Sequence, residues 1–380
     1  MKLAIVADWL TTYGGAEHTI AEFHAIWPDA PIFTTVMRRD ALGPLAQAHI
    51  RTGPLQRWYR IVRQHQLLLP WMPRVLEDID LGGFDVILSS SHAVAKGVIP
   101  PPHALHVCYC HTPMRYAWEM EERYLEDFRV PRWLRPQARR ALRALRRWDL
   151  TTAKRVDRFI ANSTETQTRI QNIYGRESEV IPPPVAERFF HESTVPPADR
   201  TSFLAIGRLV PYKRFDLLIA LANELALPLT IAGSGQQEAR LRAIAGPTVT
   251  FTGYVPEGEL PRLYAVSKAL LFPPLEDAGI VPLEAQACGT PVIAFAEGGA
   301  RDTVREGETG IFFREQSVAS LKESLARFRE WTFDPVSIRD HARQFSATGF
   351  REKIRQTVEQ LRRERGYDGR HAPQSPLAQR

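Results

Sequence analysis

The residues best suited to chemistry lie in PPLEDAGIVPLEAQACGTPVIAF, residues 273–295. Glu276 and Glu284 stand there with seven residues between them, Gly279 among them. The apolar run ALLFPP (269–274) reads as a strand, and 281–289 reads as a helix. Glu276 therefore falls in the loop after a strand, and Glu284 in the first turns of a helix. Carboxylates so placed can accept hydrogen bonds from paired sugar hydroxyls. Gly279 would let backbone pack closely on a ligand, and the helix N-terminus would face the same pocket. A helix start decorated with acids explains Glu284 alone, but not the whole string.

A second constellation follows the strand SFLAI: Gly207, then Arg208, then Lys213 before a helix. An arginine fork and a lysine point charge suit a diphosphate. Cations are disfavoured at a helix start by its dipole, which favours a ligand role over plain surface charge. Gly14-Gly15 follows the first strand, LAIVADW (3–9), and precedes a helix predicted over 16–26. Glycines there either bring backbone N–H groups to an anion or make a plain tight turn. Gly233-Ser234-Gly235 starts like a dinucleotide fingerprint, but Glu238 stands where the third glycine belongs, so it reads as a tight turn. Asp78-Ile79-Asp80 has the form of a metal-binding pair but does not follow a buried strand, and is set aside. Cys108, Cys110 and Cys288 form no disulfide framework; with no second ligand cluster beside His111, they read as buried thiols of a reducing cytosol.

The elements that would carry these groups fall into two trains of alternating strand and helix. PIFTTV (31–36), FDVILSSS (84–91), HVCYCHT (106–112) and RFIANS (158–163) continue the first. SFLAIGRL (202–209), LTIAGS (229–234), VTFTGY (249–254), ALLFPP and PVIAF (291–295) make the second. Such alternation means βαβ units and parallel sheets, whose ligands lie beyond the carboxyl ends of the strands. VIPPPVAERF (180–189) separates the trains, since three consecutive prolines suit neither a helix nor a central strand. The expected organisation is a first domain over 1–181, a second over 182–347, a terminal helix over 348–365 and a disordered tail over 366–380. Phe350, Ile354, Val358 and Leu361 share one face of that terminal helix.

The 380-residue chain is 44% hydrophobic and 24% charged, an ordinary globular balance too long for one core. No apolar run approaches the ~20 residues of a membrane span, and the N-terminus reads as a strand, not an export signal. The net charge is +6, with eleven Arg and Lys against two Asp over 129–158. In 132–149, Leu134, Leu142, Leu145 and Trp148 recur at helical spacing between arginines. Two readings stay open there: docking on an anionic membrane surface, or a core-packed helix with solvated arginines. Residues 51–76, with Trp58, Tyr59 and Trp71 beside arginines, suit an acceptor loop, a lipid contact or ordinary packing.

EDAGIVPLE followed by ACGTPVIA resembles the E-x7-E signature of the retaining, family 4 glycosyltransferases. IGRLVPYKRFDLLI resembles that family's G-R-x4-K segment, and FTGYVPEGELPRLYAVSKALLFP, ANSTETQTRI, VIPPPV and MKLAIVADWLTTYGGAEH resemble further segments in order, over about 1–365. HTPMRYAWEM (111–120) and RRWDLTTAKRVDRFIANS (146–163) resemble the bacterial mannosyltransferase branch that builds O-antigen and related polysaccharides. The resemblance implies a GT-B fold: two Rossmann-like, doubly wound α/β domains facing across a cleft, with the terminal helix crossing back to the first. It implies a nucleotide-sugar donor, a glycan or lipid-linked acceptor, and neither cofactor nor metal. Arg208 and Lys213, after Gly207, would hold the donor diphosphate, Glu276 the donor sugar and Glu284 the ribose. Gly14, Gly15 and His111 would act at the phosphate or sugar on the first-domain side. Gly253, Tyr254 and Val255 would meet the base, and Asp277, Ala278, Gly279 and Ile280 would offer backbone N–H groups. Asp277-Ala278 departs from the family's Gly-Phe, which bears on the sugar accepted. Polyanion or nucleic-acid binding by 129–158 and a phosphorylase-like activity are the competing functions. The first leaves the E-x7-E block unexplained, and the second lacks a pyridoxal-lysine context.

Overall fold

The computed structural model describes residues 1–118, 132–190 and 195–366. The tail beyond residue 366 and the Arg129 end of the basic stretch lie outside these residues. The chain divides into two compact units: Met1–Ala161 with Gln167–Ile181 and the chain from Phe350, and Asn162–Thr166 with Pro182–Gly349.

The first unit is built on a parallel sheet of β1 (Leu3–Ala7), β2 (Ile32–Thr34), β3 (Ile50–Thr52), β4 (Val86–Ser91), β5 (Leu105–Cys110), β6 (Arg158–Ala161) and β7 (Ser178–Val180). The strand order is β3-β2-β1-β4-β5-β6-β7. β1 is apolar throughout because it is buried on both faces: Leu3, Ile5 and Ala7 enter one core, Ala4 and Val6 the other. Phe350, Ile354, Val358 and Leu361 of the helix Ala347–Glu364 join the first of these cores. There Phe350 packs against Phe23 and Tyr109, and the Tyr109 hydroxyl donates to the Ile181 carbonyl at 2.9 Å.

The second unit repeats the plan with β8 (Phe203–Ile206), β9 (Leu229–Ala232), β10 (Val249–Gly253), β11 (Leu270–Phe272), β12 (Val292–Phe295) and β13 (Gly310–Phe313). Its order is β10-β9-β8-β11-β12-β13, again all parallel. In each sheet the order reverses once, between β1 and β4 and between β8 and β11. Beyond the carboxyl ends of such a strand pair, the loops diverge and leave a crevice.

The helix Arg135–Thr152 packs into the first unit through Leu142 and Leu145, which are buried in its core, while Arg140, Arg143 and Arg147 are exposed. Its Asp149 is fully buried, pairs with Lys96, and accepts from Trp118 Nε1 and the Tyr174 hydroxyl, each at 2.8 Å. Removing either charge would strand the other without solvent.

Candidate functional site

At the switch point of the second unit, β8 runs into Gly207-Arg208 and β11 into the loop bearing Glu276. Gly207 has φ +146°, a value that favours glycine, and the Lys213 amine lies over it at ordinary contact distance. Lys213 is buried and its Nζ donates to Glu276 Oε1. Burial and the neighbouring Arg208 charge push the Lys213 ammonium down to about 8. Arg208 itself is exposed. The sequence-predicted cations and the first glutamate thus meet in one place, a charge concentration with its own carboxylate as counterion.

Glycine contacts fix the loops around this pair. A side chain on Gly233 would stand 1.9 Å from the Gly207 carbonyl oxygen, and one on Gly235 would strike the Leu209 backbone. Leu209 N–H donates to the Ser234 carbonyl at 3.0 Å and Gly233 N–H to the Gly253 carbonyl at 2.7 Å. The loops after β8, β9 and β10 are therefore stapled backbone to backbone. Gly233-Ser234-Gly235 is more than the tight turn that sequence reasoning made of it: the glycines allow one loop to lie on another. Gly298 and Gly299, which sequence reasoning missed, play the same part for the glutamate loop. Their missing side chains leave room for the Glu276, Asp277 and Ala278 backbone, and Gly299 N–H donates to the Glu276 carbonyl at 2.8 Å. The visible signal was a double glycine between a strand and the helix Ala300–Thr303.

Gly279, with φ +65°, is the residue preceding the helix Ile280–Ala287, so Asp277, Ala278 and Ile280 flank its N-terminus. Glu284 lies one turn in. Its Oε2 accepts from the Tyr264 hydroxyl at 2.8 Å. Burial pushes the Glu284 carboxyl up to about 7, against the pull of that hydrogen bond and of Arg188. Tyr264, fully buried, is a neighbour of Glu284 that sequence reasoning did not single out. Gly253 has φ +72°, Val255 packs against the core, and Tyr254 is 74% exposed.

The switch point of the first unit is of another kind. Asp8, just beyond β1, is fully enclosed, and its carboxylate accepts from the backbone N–H groups of His92, Ala93, Val94 and Ala95 at 2.5–3.1 Å. It also faces His92 Nδ1 at 2.9 Å. Burial works against its charge, but His92 and those N–H groups outweigh it and hold Asp8 at about 2. His111, beyond β5, shares a 2.8 Å hydrogen bond with the Ser90 hydroxyl through Nε2. Burial and the His92 charge push it down to about 3, so it acts as a neutral ring. Of the glycine pair, Gly14 is engaged within the loop. Gly14 precedes the helix Gly15–Ile26 with φ −141°, and its N–H donates to Glu17 Oε2 at 3.1 Å. A side chain there would meet the Glu17 carboxylate at an ordinary 3.5 Å, so no close approach demands glycine. Cys108 and Cys110 are buried in β5, where burial pushes the Cys108 thiol up to about 12; both are core thiols. Asp80 is spent in a turn, accepting from Gly82 N–H at 2.9 Å.

The profile described as Glycosyltransferase Family 4 matches residues 13–188, and that of Glycosyl transferases group 1 matches 186–345. A D-inositol 3-phosphate glycosyltransferase of Acidothermus cellulolyticus is 31% identical over 202 residues, covering 45% of this chain and 45% of its own. A GDP-mannose-dependent alpha-(1-6)-phosphatidylinositol monomannoside mannosyltransferase of Mycobacterium tuberculosis is 31% identical over 193 residues, covering 43% of this chain and 50% of its own. The chain thus spans about half the length of the curated relatives it matches. Among solved structures, Anabaena Alr3699/HepE in complex with UDP superposes with a TM-score of 0.68 at 17% identity, covering 95% of this chain and 100% of that one. Sucrose-phosphate synthase from Thermosynechococcus elongatus gives 0.70 at 18%, covering 95% and 99%. The two doubly wound units constitute a GT-B fold. The chain belongs to family 4 of the glycosyltransferases.

Proposed function

We propose that the protein is a retaining glycosyltransferase that moves a hexose, mannose from GDP-mannose, to a glycan or lipid-linked acceptor in bacterial surface-polysaccharide assembly. The observation that carries this reading is the Lys213–Glu276 pair beside Arg208 beyond β8 and β11. A donor diphosphate binding there takes the counterion place of Glu276 on Lys213 and frees that carboxylate for the hydroxyls of the transferred sugar. Glu284 takes the ribose hydroxyls. Gly207, Gly253, Tyr254, Val255 and the N–H groups of 277–280 complete the donor site.

Transfer breaks the bond between the anomeric carbon and the diphosphate oxygen, with the electron pair leaving on the diphosphate. Arg208 and Lys213 stabilise that developing charge without reorganisation. The acceptor hydroxyl forms the new bond on the same face and gives its proton to the departing diphosphate, so configuration is retained and no protein nucleophile is needed. Neutralisation by two cations leaves no role for a metal ion in this scheme.

The exposed Arg140, Arg143 and Arg147, with Trp133 73% exposed near the same helix start, support peripheral docking on the cytoplasmic face of an anionic membrane. No helix among the described residues is long and apolar enough to cross one. A panel of GDP- and UDP-sugars, read by thermal shift and donor hydrolysis with chelator present, tests the main reading. GDP-mannose should give the largest shift. A preferred UDP-sugar would change the donor and keep the class. A strict requirement for Mg²⁺ or Mn²⁺, or salt-sensitive DNA binding with no response to any donor, would overturn the reading.

A further inference from the structure

His92 is built into the first unit with more restraint than a surface histidine needs. Its Nδ1 faces the enclosed Asp8 carboxylate at 2.9 Å, and its backbone N–H donates to the same carboxylate. Its ring meets Trp9 edge-on, centroids 4.6 Å apart, and lies 6.2 Å from the His111 ring. Trp9 in turn packs on His65. Asp8 is anchored by four backbone N–H groups, so it cannot follow the imidazole if the ring turns. The ring is fixed on one side, yet 25% of the side chain is exposed, and among the described residues Nε2 has no hydrogen-bond partner. A carboxylate on Nδ1 selects the tautomer that leaves Nε2 as an acceptor in the neutral ring. The group stands beyond the carboxyl end of β4, at the switch point where ligands of open α/β sheets bind.

We propose that Nε2 of His92 receives the hydrogen bond of an acceptor hydroxyl next to the one that attacks, with Asp8 as the positioning residue that fixes the ring. This rests on the transferase reading and names the group that orients the acceptor. The transfer step is unchanged: the attacking hydroxyl's oxygen bonds to the anomeric carbon and its proton leaves on the diphosphate. His92 aligns the acceptor through the neighbouring hydroxyl, the attacking hydroxyl keeps its own proton for the diphosphate, and the imidazole takes no part in the bond changes. Neutral imidazole is the competent form. The groups facing it are Asp8 beyond β1, Glu17 on the helix Gly15–Ile26, His65 on the segment His65–Trp71, and His111 beyond β5. Burial lowers the His92 proton affinity, but Asp8 and Glu17 outweigh it and raise it. Activity should therefore climb as pH rises through the His92 titration.

The experiment uses the full chain, GDP and UDP, the donor they define, and a panel of octyl glycosides as acceptors. His92→Asn keeps a donor to Asp8 but removes the outer nitrogen, whereas His92→Gln carries a polar group outward. The expected result is a loss of roughly 10²-fold in transfer for His92→Asn, with nucleotide Kd within about twofold of the parent and partial recovery in His92→Gln. Asp8→Asn, where it folds, should move the acid limb of transfer to lower pH, because the charge that raises His92 is gone. Glycosides added to the nucleotide-bound protein should shift the His92 ring ¹⁵N resonances. Transfer by His92→Asn within about threefold of the parent would overturn the inference, as would nucleotide binding with no glycoside touching those resonances. Failure of both nucleotides to bind would instead sink the transferase reading on which it rests.

Discussion

The two units offer the same address and furnish it differently. In the second, the loops after β8 and β11 carry Lys213, Arg208 and Glu276, with Lys213 and Glu276 paired against each other. In the first, the loops after β1 and β4 carry Asp8 and His92, and the Asp8 charge is consumed internally by four N–H groups and one imidazole. An ion pair that a ligand can open suits an anion. A saturated carboxylate behind a half-open histidine suits a neutral hydroxyl. The backbones differ to match. The second unit uses glycine at φ +146°, +134°, +72° and +65° at positions 207, 233, 253 and 279, whereas Gly14 in the first unit lies at −141°. Close backbone stacking belongs to the unit proposed to hold the diphosphate.

That contrast breaks most visibly at the cations. Lys213→Ala and Arg208→Ala should each lower kcat by roughly 10²–10³-fold, measured as transfer at saturating donor, while cooperative melting persists. Equal losses from exposed arginines such as Arg143→Ala would dissolve the distinction. The next largest difference lies in the glycines. Gly233→Ala forces a carbon onto the Gly207 carbonyl at a positive φ and should cost about 2–4 kcal/mol. Gly14→Ala meets no clash and should cost at most about 1 kcal/mol, through the helix cap. Denaturant midpoints on the two variants decide this, and parity between them would remove the backbone half of the comparison.

Much of the second unit was legible because its chemistry is written in adjacent residues. Gly207-Arg208 with Lys213, and Glu276 with Glu284, each follow a strand whose apolar run is plain. Less visible were β3, β7 and β13: β3 and β7 are three-residue edge strands with partly exposed side chains, and β13 opens on glycine. Short edges carry little hydrophobic signal. The Asp8–His92 pair was hidden for another reason: its members are 84 positions apart and meet only because β1 and β4 are neighbours in the sheet. Tyr264 escaped in the same way, since its aromatic ring reads as ordinary core until the hydroxyl is seen on Glu284. The basic run that drew attention by composition turned out to be half core, because Leu142 and Leu145 face inward.

The finest test is the pH dependence of donor binding, because it titrates the second unit without touching the first. A nucleotide-sugar is a suitable probe, since its diphosphate has no proton to lose near neutrality. On the proposed reading ribose hydroxyls donate to ionised Glu284, whose carboxyl sits at about 7, so affinity should rise as pH climbs through that value. On the same reading Lys213 must keep its proton to meet the diphosphate, and it sits at about 8, so affinity should fall as pH climbs further. Calorimetric titration should show a maximum between the two and roughly a tenfold loss one to two units to either side. Tyr264→Phe removes a hydrogen bond that lowers the Glu284 value, so its acid limb should move to higher pH while the alkaline limb stays. If both limbs moved together, or if His92→Asn moved either one, the two switch points would not be chemically separate.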